Sequence, residues 1–262
     1  MNASTRDKVI AFSIHALTAS GSFWAFLAIV AAANSKFTIM WWWLGVALFV
    51  DGIDGPLARK YRVKEVLPNW SGDMLDSIVD YMTFVMIPAF ALYQSGFLQE
   101  TTSFLAAALI VITSAIYYAD TRMKTVDNSF RGFPVCWNMV VFTLFVIQPG
   151  WSLALGVVIL SAVLTFVPIH FVHPVRVVKF RTLTLTVFAL WSLFGLVAIY
   201  ESMDDSMWAV LGLDHSPKSL QQVEAFENMD VSLITKIGIA ASGIYLYCIG
   251  FVIQLLGNSD DK

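Results

Sequence analysis

The fold is decided by the junction of two apolar segments, which reads DGIDGPLAR at residues 51–59 and GDMLDSIVD at residues 72–80. Each motif adjoins an apolar stretch of about 20 residues, the length that an α-helix needs to cross the core of a bilayer. A carboxylate at membrane depth is costly unless it is paired or bound to a cation. The junction therefore predicts two membrane helices that share a polar site.

The composition of the whole chain fits this interpretation. Of its 262 residues, 58% are hydrophobic and only 13% are charged, whereas soluble domains carry about 25% charge. This balance excludes a soluble globular protein and a disordered one. The formal net charge of −3 offers no basic surface for nucleic acid. The two cysteines, Cys136 and Cys248, lie in apolar stretches, which argues against a disulfide framework.

Apolar segments recur along the chain at lengths that suit membrane helices. They predict an all-α fold, a polytopic membrane helix bundle of about eight transmembrane helices. The predicted spans are residues 9–33, 37–57, 72–97, 102–120, 134–148, 151–172, 182–200 and 233–256. We expect residues 1–262 to form a single integral membrane domain, in which the polar segment 201–232 is an extracytoplasmic loop.

Basic residues are distributed unevenly between the two predicted sides of the membrane. If the N-terminus is cytoplasmic, 13 of the 16 lysines and arginines lie on the cytoplasmic side, and only Lys36, Lys218 and Lys236 lie on the other. Cytoplasmic loops carry an excess of these residues. The distribution therefore predicts a cytoplasmic N-terminus, and it places the loop between the two aspartate motifs on the cytoplasmic side.

The aspartates at the junction are spaced so that they share helix faces. Asp51 and Asp54 are three residues apart, and Asp76 and Asp80 are four apart, so each pair lies on one side of its helix. The two helices are antiparallel neighbours, so the two faces can meet. Four carboxylates in a dry site repel one another unless cations intervene, and hard divalent ions prefer oxygen ligands. The spacing predicts a site for Mn²⁺ or Mg²⁺, with two ions as the usual arrangement for phosphoryl transfer.

Small and basic residues flank these aspartates. Gly55 and Gly72 have no side chain, so a bulky ligand can approach the backbone there. Arg59 carries a planar guanidinium that suits a phosphate group. Asp73 alone is typical of the first turn of a helix, where the helix dipole stabilises a carboxylate, and it is left out of the predicted metal site.

Together the two motifs resemble the signature of the CDP-alcohol phosphatidyltransferases, in the pattern Asp51-x2-Asp54-Gly55-x2-Ala58-Arg59 … Gly72-x3-Asp76-x3-Asp80. The gap between Arg59 and Gly72 holds twelve residues, where the family usually has about eight. A loop of this length is similar to that in the branch of the family whose acceptor alcohol is choline. A second similarity to that branch is the block DNSFRGFP at residues 127–134, followed by Trp137-Asn138.

The resemblance implies that the phosphatidyl group is transferred from CDP-diacylglycerol to choline, with release of CMP. Asp51 and Asp76 would each contact both metal ions, and Asp54 would complete the first metal site. Asp80 would bind the second ion and act as the general base on the acceptor hydroxyl.

The resemblance also assigns the residues around the liponucleotide. Gly55 and Arg59 would hold the head of CDP-diacylglycerol, and Ala58 and Gly72 would leave room for the nucleotide. A homodimer in the bacterial inner (cytoplasmic) membrane is implied as well, with its active site facing the cytoplasm and the diacyl tails among the membrane lipids.

Two further groups of residues are candidates for substrate binding. Choline has a quaternary nitrogen without an N–H donor, so aromatic faces and negative charge would recognise it. The candidates on the predicted cytoplasmic side are Tyr81, Tyr117, Tyr118, Asp120, Phe130, Phe133 and Trp137. Any one of these aromatic residues is also typical of the aromatic belt at a membrane interface. His15 and Thr18, one turn apart in the first span, are candidates for the nucleotide pocket, unless His15 is a hydrogen-bonded interior residue.

Two alternative functions remain at this point. The same chemistry with serine or inositol as acceptor would use the same motif. An ion-coupled transporter would also place acids within the membrane, but its acids would be expected near the midplane, whereas these lie towards one membrane face.

Overall fold

The computed structural model describes residues 4–120, 129–173, 179–203 and 229–257. Helices account for 79% of these residues, which confirms the predicted all-α membrane bundle. The helices are α1 (Thr5–Ala33), α2 (Phe37–Lys60), α3 (Val63–Val66), α4 (Gly72–Asp80), α5 (Ile87–Gln94), α6 (Glu100–Ala119), α7 (Trp137–Ile147), α8 (Trp151–Leu164), α9 (Arg181–Glu201) and α10 (Leu233–Gly257), with a π-helical segment, Tyr81–Met86, between α4 and α5.

Six helices in the described part of the chain are long and apolar enough to cross a membrane. They correspond to six of the predicted spans, with α4, the π-helical segment and α5 forming one continuous helix, Gly72–Gln94. The predicted spans 134–148 and 151–172 are occupied by α7 and α8, which have 11 and 14 residues. At 1.5 Å per residue they are only about 17 and 21 Å long, so the structure does not confirm the count of eight.

The helix that follows the second aspartate motif changes its winding directly after Asp80. The backbone N–H of Ile87 donates to the carbonyl of Met82, five residues back, which is the π-helical pattern. Pro88 accounts for the change, because it has no N–H to donate to the carbonyl of Phe84 and its ring crowds that carbonyl. The helix therefore widens between Asp80 and Pro88.

Sequence interpretation was wrong for residues 165–172, which were expected to be helical. Helix α8 ends at Leu164, and residues His170–Val172 form strand β2, which pairs antiparallel with strand β1, Ser129–Arg131. Pro168 explains the ending of α8, because a continuing helix would bring its ring against the carbonyl of Leu164. That carbonyl instead accepts a hydrogen bond from the N–H of Phe133, at 3.0 Å.

Strand β2 lies against helix α10. The backbone N–H of His170 donates to the side-chain oxygen of Gln254, at 3.0 Å. Gly250 permits this contact, because a Cβ added there would collide with the carbonyl of His170 and with Cα of Phe171, 2.8 Å away. A substitution at Gly250 is thus expected to push the strands away from α10.

The long loop between the aspartate motifs is ordered by contacts with α1. Helix α3 buries Val63, which packs with Ala11 and Ile14 of α1 and with the partly buried Ala58. Helix α4 approaches α1 closely as well, since a Cβ at Gly21 would lie 2.5 Å from Cγ1 of Val79. Helix α1 thus supports both the loop and α4 from the same side.

Candidate active site

Three aspartates from two helices converge at the loop end of the bundle. Carboxylate oxygens of Asp51, Asp76 and Asp80 all lie within 4.8 Å of one another, and the three side chains are half-buried. Asp51 lies nine residues before the end of α2, about 13 Å along the helix, and Asp80 lies eight residues after the start of α4. The cluster is therefore inside the bundle and near the end that carries the loop.

The other two aspartates of the motifs are not among the three whose oxygens converge. Asp54 is buried in α2, with 5% of its surface exposed, but it is not one of the three residues whose oxygens converge. Asp73 stands in the first turn of α4 and pairs with Lys64 at 3.4 Å, and both side chains are almost fully exposed. Its position agrees with the prediction that Asp73 is a helix-end residue.

The donor set of the cluster fits a hard divalent cation. Oxygen ligands lie about 2.0–2.1 Å from Mg²⁺ and about 2.3–2.6 Å from Ca²⁺, so two oxygens on one ion are at most about 4.2 Å or about 5 Å apart. One oxygen from each of Asp51, Asp76 and Asp80 lies within 4.8 Å of the others, a spacing that suits ligands of one ion or of two neighbouring ions. Carboxylates this close repel one another in a half-buried site, and a divalent ion relieves the repulsion without protonating them.

Arg59 lies five residues beyond Asp54, near the end of α2, and is exposed. A Cβ added at Gly55 would lie 3.4 Å from Nη1 of Arg59, so the guanidinium extends along the bare backbone of Gly55. Among the described residues the ion pairs are Arg62 with Glu65 and Lys64 with Asp73, and Arg59 takes part in neither. Its charge is thus available to an anionic ligand.

Gly72 lies against His15 of α1. A Cβ at Gly72 would be 3.3 Å from Cε1 of His15, so the absence of a side chain there makes room for the imidazole. Trp70, which the sequence interpretation did not single out, is the aromatic neighbour of His15, with ring centroids 6.4 Å apart. Thr18 is buried one turn further along α1, where its hydroxyl donates to the carbonyl of Ile14.

Two of the candidate choline-binding aromatics meet beside the cluster. The rings of Tyr81 and Tyr118 make an edge contact with centroids 5.6 Å apart. Tyr81 is fixed by its hydroxyl, which donates to the carbonyl of Val111 at 2.9 Å. Tyr118 lies near the carboxylates of Asp80, Asp76 and Asp51. This tyrosine therefore combines an aromatic ring with nearby negative charge.

The remaining candidates occupy different surroundings. Phe133 and Trp137 are fully enclosed in the core, and the indole N–H of Trp137 donates to the hydroxyl of Ser114 at 2.9 Å. Phe130 belongs to strand β1 and stacks on His173, with centroids 5.6 Å apart. The hypothesis that these three bind choline stays a prediction.

Tyr117 and Asp120 lie at the end of α6. Tyr117 is buried, and its hydroxyl has no hydrogen-bond partner within the part of the chain that the structure describes. Asp120 follows the last residue of α6 and is half-buried. Their proposed contact with choline also stays a prediction.

Comparison with known proteins identifies the class to which this bundle and its aspartates belong. The sequence profile of the CDP-alcohol phosphatidyltransferases matches residues 11–211. The chain belongs to the CDP-alcohol phosphatidyltransferase family, which confirms the resemblance and the predicted enzyme class. Enzymes of this family generally depend on divalent metal ions.

Several proteins that are similar to this chain over most of its length are named phosphatidylcholine synthase. The phosphatidylcholine synthase of Brucella melitensis is 55% identical over 251 residues, which cover 96% of this chain and 82% of that protein. The phosphatidylcholine synthase of Rhizobium meliloti is 53% identical over 248 residues, covering 95% and 92%. The phosphatidylcholine synthase of Pseudomonas aeruginosa is 40% identical over 199 residues, covering 76% and 84%.

Proposed function

We propose that this protein is a CDP-diacylglycerol–choline O-phosphatidyltransferase. The observation that carries the proposal is the identity of 53–55% over nearly the whole chain to proteins named phosphatidylcholine synthase. The convergence of Asp51, Asp76 and Asp80 within 4.8 Å supports it, because these are three of the four aspartates in the family motif.

The reaction requires one bond to form and one to break at phosphorus. The hydroxyl oxygen of choline attacks the phosphorus that carries the diacylglycerol, the bond from that phosphorus to the CMP oxygen breaks, and CMP leaves. Asp80 accepts the proton from the attacking hydroxyl, which is the usual role of a carboxylate general base. The products are phosphatidylcholine and CMP.

We assign the metal site to Asp51, Asp54, Asp76 and Asp80, with two ions, Mn²⁺ or Mg²⁺. The ions supply positive charge that neutralises the diphosphate and stabilises the leaving group. The three converging carboxylates would hold this charge at the loop end of the bundle. Asp54, buried three residues from Asp51, is the nearest further carboxylate on α2.

The liponucleotide head is assigned to the residues around Arg59. Its guanidinium, unpaired with any carboxylate in the described ranges, would bind the diphosphate in the planar geometry that phosphates favour. Gly55 and Ala58 have little or no side chain, so the ligand can approach the backbone of α2 beside Arg59. Gly72 leaves the same kind of space at the start of α4. The diacyl tails would then lie in the lipid beside α2.

The acceptor is tested by offering purified protein CDP-diacylglycerol, Mg²⁺ or Mn²⁺, and one alcohol at a time. We expect CMP release with choline to exceed that with ethanolamine, serine or inositol by at least tenfold. Preferential use of serine or inositol would contradict the choline assignment and leave the family assignment standing. Metal-dependent CMP release itself would separate the transferase from an ion-coupled transporter.

Replacing Tyr118 with alanine is expected to weaken choline binding selectively. A cation–π contact contributes about 0.5–2 kcal/mol, so the choline KM should rise by about two- to thirtyfold while the KM for CDP-diacylglycerol changes little. Tyr118→Phe keeps the ring and should retain most of the affinity. Tyr93→Ala removes an exposed tyrosine on α5 and serves as the control. An unchanged choline KM in Tyr118→Ala would remove Tyr118 from the pocket.

The long helices make the protein a multi-pass membrane protein. We further propose that it is a homodimer in the bacterial inner membrane and that the carboxylate cluster faces the cytoplasm. In a background with Cys136→Ala and Cys248→Ala, Lys64→Cys should react with a membrane-impermeant maleimide only after the cells are opened. Lys36→Cys, at the opposite end of α2, should react in intact cells. The reverse pattern would contradict the proposed orientation.

A further inference from the structure

Two rings, one from α1 and one from the long loop, stand beside Gly72. The centroids of His15 and Trp70 are 6.4 Å apart, and their planes are tilted by 32°. Gly72, Asp76 and Asp80 follow one another at intervals of four residues, so they share one face of α4. Because His15 lies against Gly72, it is at the loop end of the face that carries the two aspartates.

His15 is a buried polar residue of α1. Only 7% of its surface is exposed, and its Nε2 has no hydrogen-bond partner among the described residues. A buried nitrogen left unpaired is costly, and a ligand with a polar edge would satisfy it. A Cβ at Gly72 would lie 3.3 Å from Cε1 of His15 and 3.8 Å from Nδ1. Nε2 is bonded to the same Cε1, so both ring nitrogens lie near the start of α4.

Trp70 offers the complementary feature, an open aromatic surface. Its ring makes an edge contact with Phe12, with centroids 5.3 Å apart and planes at 86°, which holds the indole in place. Even so, 56% of the residue remains exposed. An indole that is held at an edge and open on the rest of its surface can receive a flat ligand. Trp70 is also part of the loop that is longer in this chain than is usual for the family.

We propose that Trp70 and His15 bind the pyrimidine base of the liponucleotide, with Trp70 stacking on the face of the base and His15 Nε2 bonding to its polar edge. Aromatic side chains bind nucleobases by such stacking. The edge of cytosine carries both donors and acceptors, so it can pair with either tautomer of histidine. The assignment rests on the proposed function, which supplies a cytidine nucleotide, and it directs the diphosphate along α4 towards Asp76 and Asp80.

An alternative role for Trp70 is membrane anchoring, since exposed tryptophans are common at bilayer interfaces. Free CMP separates the two roles, because it has the base but no acyl chains. Full-length protein carrying Trp70→Ala should show a CMP inhibition constant and a CDP-diacylglycerol KM that are raised by about 5- to 100-fold, with the choline KM unchanged. Trp70→Phe should recover most of the affinity.

The matched variants complete the test. His15→Phe keeps a ring of similar size without either nitrogen, and it should weaken CMP inhibition while the melting temperature stays near that of the wild type. Trp151→Ala removes an exposed tryptophan from the start of α8, at the other end of the bundle, and should leave CMP inhibition unchanged. Melting temperatures establish that each variant is folded.

An unchanged CMP inhibition constant in a folded Trp70→Ala variant would overturn the proposal. If the KM for CDP-diacylglycerol is nevertheless raised in that variant, Trp70 contacts the lipid and not the base. Equilibrium dialysis of labelled CMP with Mg²⁺ gives the same comparison without an acceptor, so the base site remains testable if choline is not the substrate.

Discussion

Replacement of Asp80 by asparagine is expected to lower kcat by at least 10²- to 10⁴-fold, the usual contribution of a general acid or base. Asparagine preserves the size and shape of the side chain, but its amide cannot accept a proton from the choline hydroxyl. The loss should appear in steady-state CMP release at saturating CDP-diacylglycerol and choline. Asp73→Asn is the matched control, because Asp73 is exposed and its pair with Lys64 is of a kind that contributes little.

The role of Asp80 as base can be separated from a role as metal ligand alone. If Asp80→Asn recovers wild-type kcat at high Mn²⁺ or Mg²⁺, the carboxylate holds the ion and does not take the proton. If Asp80→Asn keeps nearly normal turnover while Asp73→Asn abolishes it, the alignment of this helix with the family motif is wrong.

Helical periodicity explains how much of the cluster was predictable from the sequence. Residues four apart in an α-helix differ in direction by about 40°, and residues three apart by about 60°. Asp76 and Asp80 are four apart and converge, together with Asp51 from the antiparallel neighbour. Asp54 is three residues from Asp51 and does not join these three. The spacing therefore predicts which face of each helix carries the carboxylates. Whether the carboxylate of Asp54 joins the cluster depends on how α2 is rotated about its axis in the bundle.

Other features depend on residues far apart in sequence and were missed for that reason. The pairing of Ser129–Arg131 with His170–Val172 joins segments about forty residues apart, and each strand is too short to show a period of its own. Pro168 did signal the end of α8, but the apolar character of residues 165–172 favoured a continued helix. Apolar composition alone does not separate a buried strand from a helix.

The aromatic residues show the same limit at the level of single side chains. The sequence makes Trp137 a choline candidate because it lies on the same predicted side of the membrane as Asp80, yet it is enclosed and bonded to Ser114 of another helix. Trp70 was passed over, yet it lies exposed beside His15. Sequence gives the kind of side chain, whereas its exposure depends on neighbours that other helices supply.

Removal of divalent ions is expected to abolish CMP release, with a loss of at least about 10³-fold. The diphosphate of the liponucleotide is an anion, and it must approach three carboxylates whose oxygens lie within 4.8 Å of one another. Without cations this approach adds repulsion to a site that is already negative, so both substrate binding and the departure of CMP are disfavoured. Addition of Mg²⁺ or Mn²⁺ to chelated protein should restore the rate.

Metal content provides the readout that activity alone does not give. Protein dialysed against Mn²⁺ should retain about two ions per chain, as expected for a phosphoryl-transfer clamp. Asp51→Asn and Asp76→Asn should each bind fewer ions and need more Mn²⁺ for half-maximal activity. Glu65→Gln should bind the wild-type number, because Glu65 is exposed in the loop and pairs with Arg62. Full turnover by protein that retains less than about a tenth of an ion per chain would show that these aspartates act without a metal.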